Sequence, residues 1–189
     1  MAGYGLNDIK PGLKIMLDGA PHIVVDSEFC KPGKGQAFTR MKVRNLLTGR
    51  TNDKTVKSGD AVESAPVREI SLQYLYADGD AAVFMSPESY EQHLIPASVL
   101  GEAASWIRAQ DICSVVFYNE QPISLTPPQF VELKIAETDP GVRGDTASGG
   151  TKPATLETGA VVRVPLFVET GEVVRVDTRS GEYVSRVRD

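Results

Sequence analysis

Apolar and polar residues alternate along most of this chain, and Gly, Pro or Asp closes nearly every alternating run. A period of two marks strands that bury one face, so the alternation predicts an all-β fold rather than a helical bundle. In the first third the runs are LKIML, HIVVDSEF and QAFTRMKVRNLL, separated by DGAP and CKPGKG. LQYLYADGDAAVFM reads as a hairpin turning at Asp78-Gly79, and EAASWIRA reads as a short helical piece. ICSVVFYN returns to strand; FVELKIAE, AVVRVPLFV, EVVRVDT and EYVSRV follow. Small barrels of about five strands each fit this text. A chain of 189 residues exceeds what one such barrel needs. Breaks at Ala65-Pro66 and Pro127-Pro128 divide it into domains over 1–64, 65–128 and 129–189. DPGVRGDTASGGTKPA, residues 139–154, is read as one long exposed loop.

Charge is distributed unevenly over these thirds. The net charge of −5 argues against a polyanionic partner, but residues 1–64 carry ten Lys/Arg against seven Asp/Glu. Residues 65–128 carry two against eight, and residues 129–189 eight against ten. Between Phe29 and Lys57 there are eight basic residues and one acid, Asp53. A basic front on an acidic body predicts one surface that faces a polyanion.

Two features stand out on that front. In TRMKVR, strand alternation places Arg40, Lys42 and Arg44 on one face and Thr39, Met41 and Val43 on the other. Three cations in line, about 7 Å apart, suit a phosphate backbone, and we read them as a nucleic-acid contact rather than a solvated face. Ahead of them, in EFCKPGKGQAF, Lys34 stands between Gly33 and Gly35 after Lys31-Pro32. A P-loop is excluded, since no GxxxxG leads into Lys34. An inert turn residue and a slim cationic probe both fit the pattern. The glycines keep the backbone narrow and Pro32 fixes one φ, and an ammonium at such a tip is a good modification target.

No catalytic residue, metal site or cofactor is expected. The chain has two histidines, His22 and His93, and two distant cysteines, Cys30 and Cys113. No Ser lies in a GxSxG context. Gly144-Asp145-Thr146 reads as a turn, with a binding tip as its alternative. Tyr183 and Arg186 read equally as a stacking and phosphate pair or as routine strand residues. The first residues lack the apolar run of a signal peptide, and no stretch reaches the length of a membrane span, so a cytoplasmic protein with reduced thiols and no membrane partner is expected.

The motifs KPGKGQAF, TPPQFVELKIAETDPGVRGDT, KPATLETGAVVRVPLFV and DTRSGEYVSRV together resemble the bacterial translation elongation factor P family, over essentially the whole length. The elongation-factor-P-like paralogue resembles this chain less at the Lys34 turn and at DTRSGEY. The resemblance implies an SH3-like, KOW-like first domain and two OB-fold domains in an L-shaped, tRNA-like arrangement. It implies a monomeric, non-enzymatic factor on the ribosome, touching both subunits and the peptidyl-tRNA, that relieves stalls at consecutive prolines. Lys34 would then reach the CCA end, framed by Lys31, Pro32, Gly33 and Gly35, after β-lysylation by a lysyl-tRNA-synthetase-like enzyme. Gly144, Asp145 and Thr146 would face the exit-site codon, and Tyr183 and Arg186 the tRNA body. Two other readings stay in view: a general RNA-binding or chaperone module, and an enzyme with substrate at residues 139–154.

Overall fold

The structure is a computed structural model that describes residues 3–141 and 149–188. It is all-β, with sixteen strands and one short helix among the described residues. The strands are β1 (Gly3–Tyr4), β2 (Lys14–Leu17), β3 (Ala20–Cys30), β4 (Phe38–Asn45), β5 (Thr51–Lys57) and β6 (Val62–Ser64). Next come β7 (Val67–Asp78), β8 (Ala81–Met85), β9 (Gln92–Ile95), helix α1 (Ala97–Leu100), β10 (Ile112–Tyr118) and β11 (Gln121–Thr126). The last five are β12 (Phe130–Thr138), β13 (Thr151–Leu156), β14 (Val161–Pro165), β15 (Val173–Asp177) and β16 (Glu182–Arg186). They form three sheets, ordered β1-β6-β2-β3-β4-β5, β11-β10-β7-β8-β9 and β14-β13-β12-β15-β16. The chain divides into two compact units, residues 1–69 with 116–124 and residues 70–115 with 125–189. No helix among the described residues is long and apolar enough to cross a membrane.

In the first unit, alternation decides what is buried. Ile15, Val24, Met41, Val43, Val56 and Val62 form one core with Ile9. Burying each of the larger side chains contributes roughly 1.5–3 kcal/mol. Thr39 is buried with them because its hydroxyl donates to the Leu6 carbonyl at 3.1 Å, which removes the cost of an unpaired polar group. Strand β5 was not legible in the sequence. It is the sheet's edge, and of its seven residues only Val56 is buried, so no alternation is written in TNDKTVK.

In the second unit, Leu72, Phe84 and Ile95 are fully buried in the middle sheet. Leu133, Ile135, Leu156, Val164, Val168, Val174 and Val176 form the core of the last sheet, with Trp106 and Tyr183 packed against it. The β7–β8 hairpin turns one residue later than expected: Asp78 pairs with Ala81, so Gly79-Asp80 are the central residues. Gly79, at φ +64, supplies the left-handed first position that a two-residue type II′ turn requires. The expected helical piece begins earlier and is tighter, running as α1 and then a 3₁₀ segment over Gly101–Ser105. Of the expected 139–154 loop, residues 151–154 belong instead to β13, which pairs with β14 from Thr151↔Pro165 to Thr155↔Val161, and residues 142–148 lie outside the described residues.

Candidate nucleic-acid interface

Strands β3 and β4 pair from His22↔Asn45 to Cys30↔Phe38, and residues 31–37 close their hairpin. Lys31, Pro32, Gly33, Lys34, Gly35 and Gln36 are all exposed. The two glycines differ in what they do. Gly35 has φ +118, a conformation that side chains resist, and a β-carbon there would lie 3.7 Å from Pro32 Cγ. Gly33 lies outside the left-handed region, with no atom within 4 Å of a β-carbon, so its contribution is slimness. Neither Lys31 nor Lys34 has an ion-pair partner among the described residues. The Lys34 ammonium therefore leads the hairpin uncompensated, and Phe29, 45% exposed, stands at its root.

Behind the tip, Arg40, Lys42 and Arg44 are exposed, while Thr39, Met41 and Val43 are buried at 1%, 3% and 0% exposure. The cross-strand register adds what the single strand could not reveal. Lys42 stands between Asp26 on β3 and Asp53 on β5, and Arg40 between Glu28 and Thr55. Arg44 has Ile23 and Thr51 beside it, so its charge is the least offset of the three. The Arg40 guanidinium lies 5.4 Å above the Phe38 ring. A cleft of about 370 Å³ on this face is lined by Asp26, Glu28, Arg40, Lys42, Asp53 and Lys54, among others. The row of cations is real, but it runs through a face of mixed sign.

In the last sheet, Tyr183 and Arg186 are three residues apart, which plain alternation would place on opposite faces. A register shift between Arg175 and Val176 changes this. Tyr183 stands opposite Val176 and Arg186 opposite Val174, both fully buried valines. Tyr183 accordingly packs against the core, half-buried. Arg186 donates from Nη1 to Glu172 Oε1 at 3.0 Å and lies 4.6 Å above the Phe167 ring. The Glu169 N–H, 2.7 Å from Glu172, and then Arg186 hold the Glu172 carboxyl below its ordinary pKa.

Gly144, Asp145 and Thr146 lie outside the described residues. At the root of their segment, Lys152 is buried at 6% exposure, its ammonium donating to the Asp139 carbonyl. Burial of this lysine was not legible, because Thr151-Lys152-Pro153 reads as loop. Nor did the sequence single out Phe130, 39% exposed, whose ring lies 4.5 Å beneath the Arg175 guanidinium. Among the described residues, no three His, Cys, Asp or Glu side chains gather as a metal-holding set. His22 is buried, its Nδ1 2.9 Å from the Ala20 carbonyl oxygen. What the described surface offers is an exposed ammonium, aligned cations and guanidinium–aromatic stacks, which can bind and orient a polyanion.

Comparison with known proteins gives a consistent result along the chain. Residues 6–62 match the elongation factor P KOW-like domain, residues 67–125 the elongation factor P OB domain, and residues 131–186 the elongation factor P C-terminal domain. Among solved structures, the chain is similar to eukaryotic translation initiation factor 5A from Methanococcus jannaschii. The two are 22% identical with a TM-score of 0.52, over 67% of this chain and 94% of that one. A translation initiation factor 5A family protein from Naegleria fowleri ATCC 30863 is 13% identical with a TM-score of 0.46, over 66% of this chain and 97% of that one. At 22% identity the likeness to the Methanococcus jannaschii protein concerns the fold alone. The three matched segments, in order and from one family, carry the conclusion: this chain belongs to the elongation factor P family.

Proposed function

We propose that this translation factor binds the ribosome beside the peptidyl-tRNA and speeds peptide bond formation at consecutive prolines by holding the tRNA CCA end. The observation that carries the reading is the uncompensated ammonium of Lys34 at the end of the β3–β4 hairpin. Proline is a hindered secondary amine, and a proline-rich nascent chain pulls the ester out of attack geometry. Restraining the CCA end lowers the orientational part of the barrier without an acid or base from the protein. That role asks for a reach and a charge, which the tip supplies, and the chain acts as a binding partner rather than an enzyme.

The remaining assignments follow from the same reading. The functional domains are residues 1–64, 65–128 and 129–189. Lys34 is β-lysylated by a lysyl-tRNA-synthetase-like enzyme, which lengthens its reach by one residue and adds an amine. Arg40, Lys42 and Arg44 contact tRNA or ribosomal RNA, Tyr183 and Arg186 approach the tRNA body, and Gly144, Asp145 and Thr146 face the exit-site codon. The factor works as a monomer in the cytoplasm, across both ribosomal subunits. A reconstituted translation assay tests it: the protein should accelerate a Pro-Pro-Pro template and leave a proline-free one unchanged. Equal stimulation of both templates would instead mark a general RNA chaperone. An intact mass from the native host should show about 128 Da added at Lys34, plus one oxygen if the side chain is also hydroxylated.

A further inference from the structure

Two arginines of the last sheet hold their guanidinium carbons over phenyl rings, and they differ in what their N–H groups do. Arg186, over Phe167 at 4.6 Å, is committed to Glu172 at 3.0 Å. Arg175, over Phe130 at 4.5 Å, forms no side-chain hydrogen bond or ion pair among the described residues. This holds although Glu132 is its direct cross-strand neighbour. The guanidinium has thus settled on the ring rather than on the nearest carboxylate. Arg175 is exposed. Beside it is a cleft of about 320 Å³, lined by Arg108, Asp111, Phe130, Glu132 and Arg175, among others.

We propose that this stack is a nucleobase site: an unpaired RNA base lies on the face of Arg175 turned away from Phe130, completing a Phe130–Arg175–base sandwich. The proposal rests on the RNA-facing role of the chain given above and adds a contact to it. A planar, weakly hydrated guanidinium stacks on π-faces as well as pairing with anions. Charge decides which of the two it does here. The cleft balances Arg108 and Arg175 against Asp111 and Glu132, so a phosphate entering it would gain little. A base carries no net charge, and its amino groups find an acceptor in the Glu132 carboxylate. The Asp111 carboxylate accepts from the Arg108 backbone N–H at 2.7 Å.

The test is a titration of isotope-labelled full-length protein with adenosine and cytidine, and separately with inorganic phosphate, read at the Arg175 Nε–H and the Phe130 ring by NMR. The nucleosides should shift both signals with an affinity on the order of millimolar, and phosphate at equal concentration should not. Arg175→Lys keeps the charge and removes the plane, and should abolish the shift of the Phe130 ring while the spectrum stays folded. On ribosomes Arg175→Gln should raise the half-saturating concentration by roughly tenfold without lowering maximal rescue. Shifts with phosphate alone would make Arg175 a plain anion site, and no shift with either would make the pair a solvated stack; both overturn the proposal. Nucleoside binding at Arg175 in a protein that fails to relieve Pro-Pro-Pro stalls would leave this site standing and overturn the functional reading instead.

Discussion

Gly141 lies so close to Leu166 that a β-carbon on it would stand 2.6 Å from the Leu166 carbonyl oxygen. The obstacle is backbone, which cannot swing aside as a flexible side-chain end would. Gly141→Ala should therefore destabilise the last sheet by about 1–3 kcal/mol. Gly33→Ala, with open space around the new methyl and no left-handed φ, should change stability by less than about 0.5 kcal/mol. Urea midpoints of the two variants check the contrast.

Acid stability should depend on the turn carboxylates of the same sheet. Asp177 is held below its ordinary pKa by the Arg179 backbone N–H at 2.9 Å and then by the Arg179 side chain, and Glu172 by the contacts described above. Both folded-state pKa values lie below the unfolded ones, so their stabilisation is complete above the ordinary carboxylate range. It is lost as pH falls through the depressed folded values. Glu172→Gln with Asp177→Asn should lower the midpoint at neutral pH and flatten its decline below pH ~4. Parallel decline in wild type and double variant would contradict this.

How far these features were legible depends on whether one strand or several define them. The inward and outward sets of β4 could be read from TRMKVR alone, because alternation is a property of a single strand. The acids beside Lys42 could not, since Asp26 and Asp53 reach it only through the register of three strands. The shift that brings Tyr183 and Arg186 to one side is likewise a property of the β15–β16 pair. Strand β5 and buried Lys152 were hidden for a compositional reason: each lies in polar text, where burial leaves no apolar trace.

The mixed charge of the β3–β4–β5 face leads to a two-sided prediction. Replacing Arg40, Lys42 and Arg44 together with Ala should weaken ribosome binding and reduce its log–log salt slope by about 2–3, one counterion per lost phosphate contact. Replacing Asp26 and Asp53 with Asn should strengthen binding, because Lys42 would lose both flanking carboxylates. A face that only meets solvent would leave affinity and salt slope unchanged in both variants.

The two cysteines should react differently with a thiol reagent. Cys113 is buried, and desolvation together with nearby Asp111 pushes its thiol pKa up to about 12. Cys30, half-buried at the end of β3, is more accessible. In folded protein at pH 8 one thiol should be modified, at Cys30, and the second only in denaturant. Rapid labelling of both would mean that the middle sheet opens around Cys113.

The most direct measurement compares wild type with Lys34→Ala on a Pro-Pro-Pro template and on a proline-free one, each at saturating factor, with ribosome affinity measured in parallel. Lys34 is one exposed residue of a broad surface, so the alanine variant should bind with nearly wild-type affinity. Rescue at prolines should fall by about tenfold or more, since positioning of the CCA end is what is removed. Lys34→Arg should not restore it, because a planar guanidinium neither matches the flexible ammonium nor accepts a lysyl extension. Full rescue by Lys34→Ala would make the tip an ordinary turn and contradict the account.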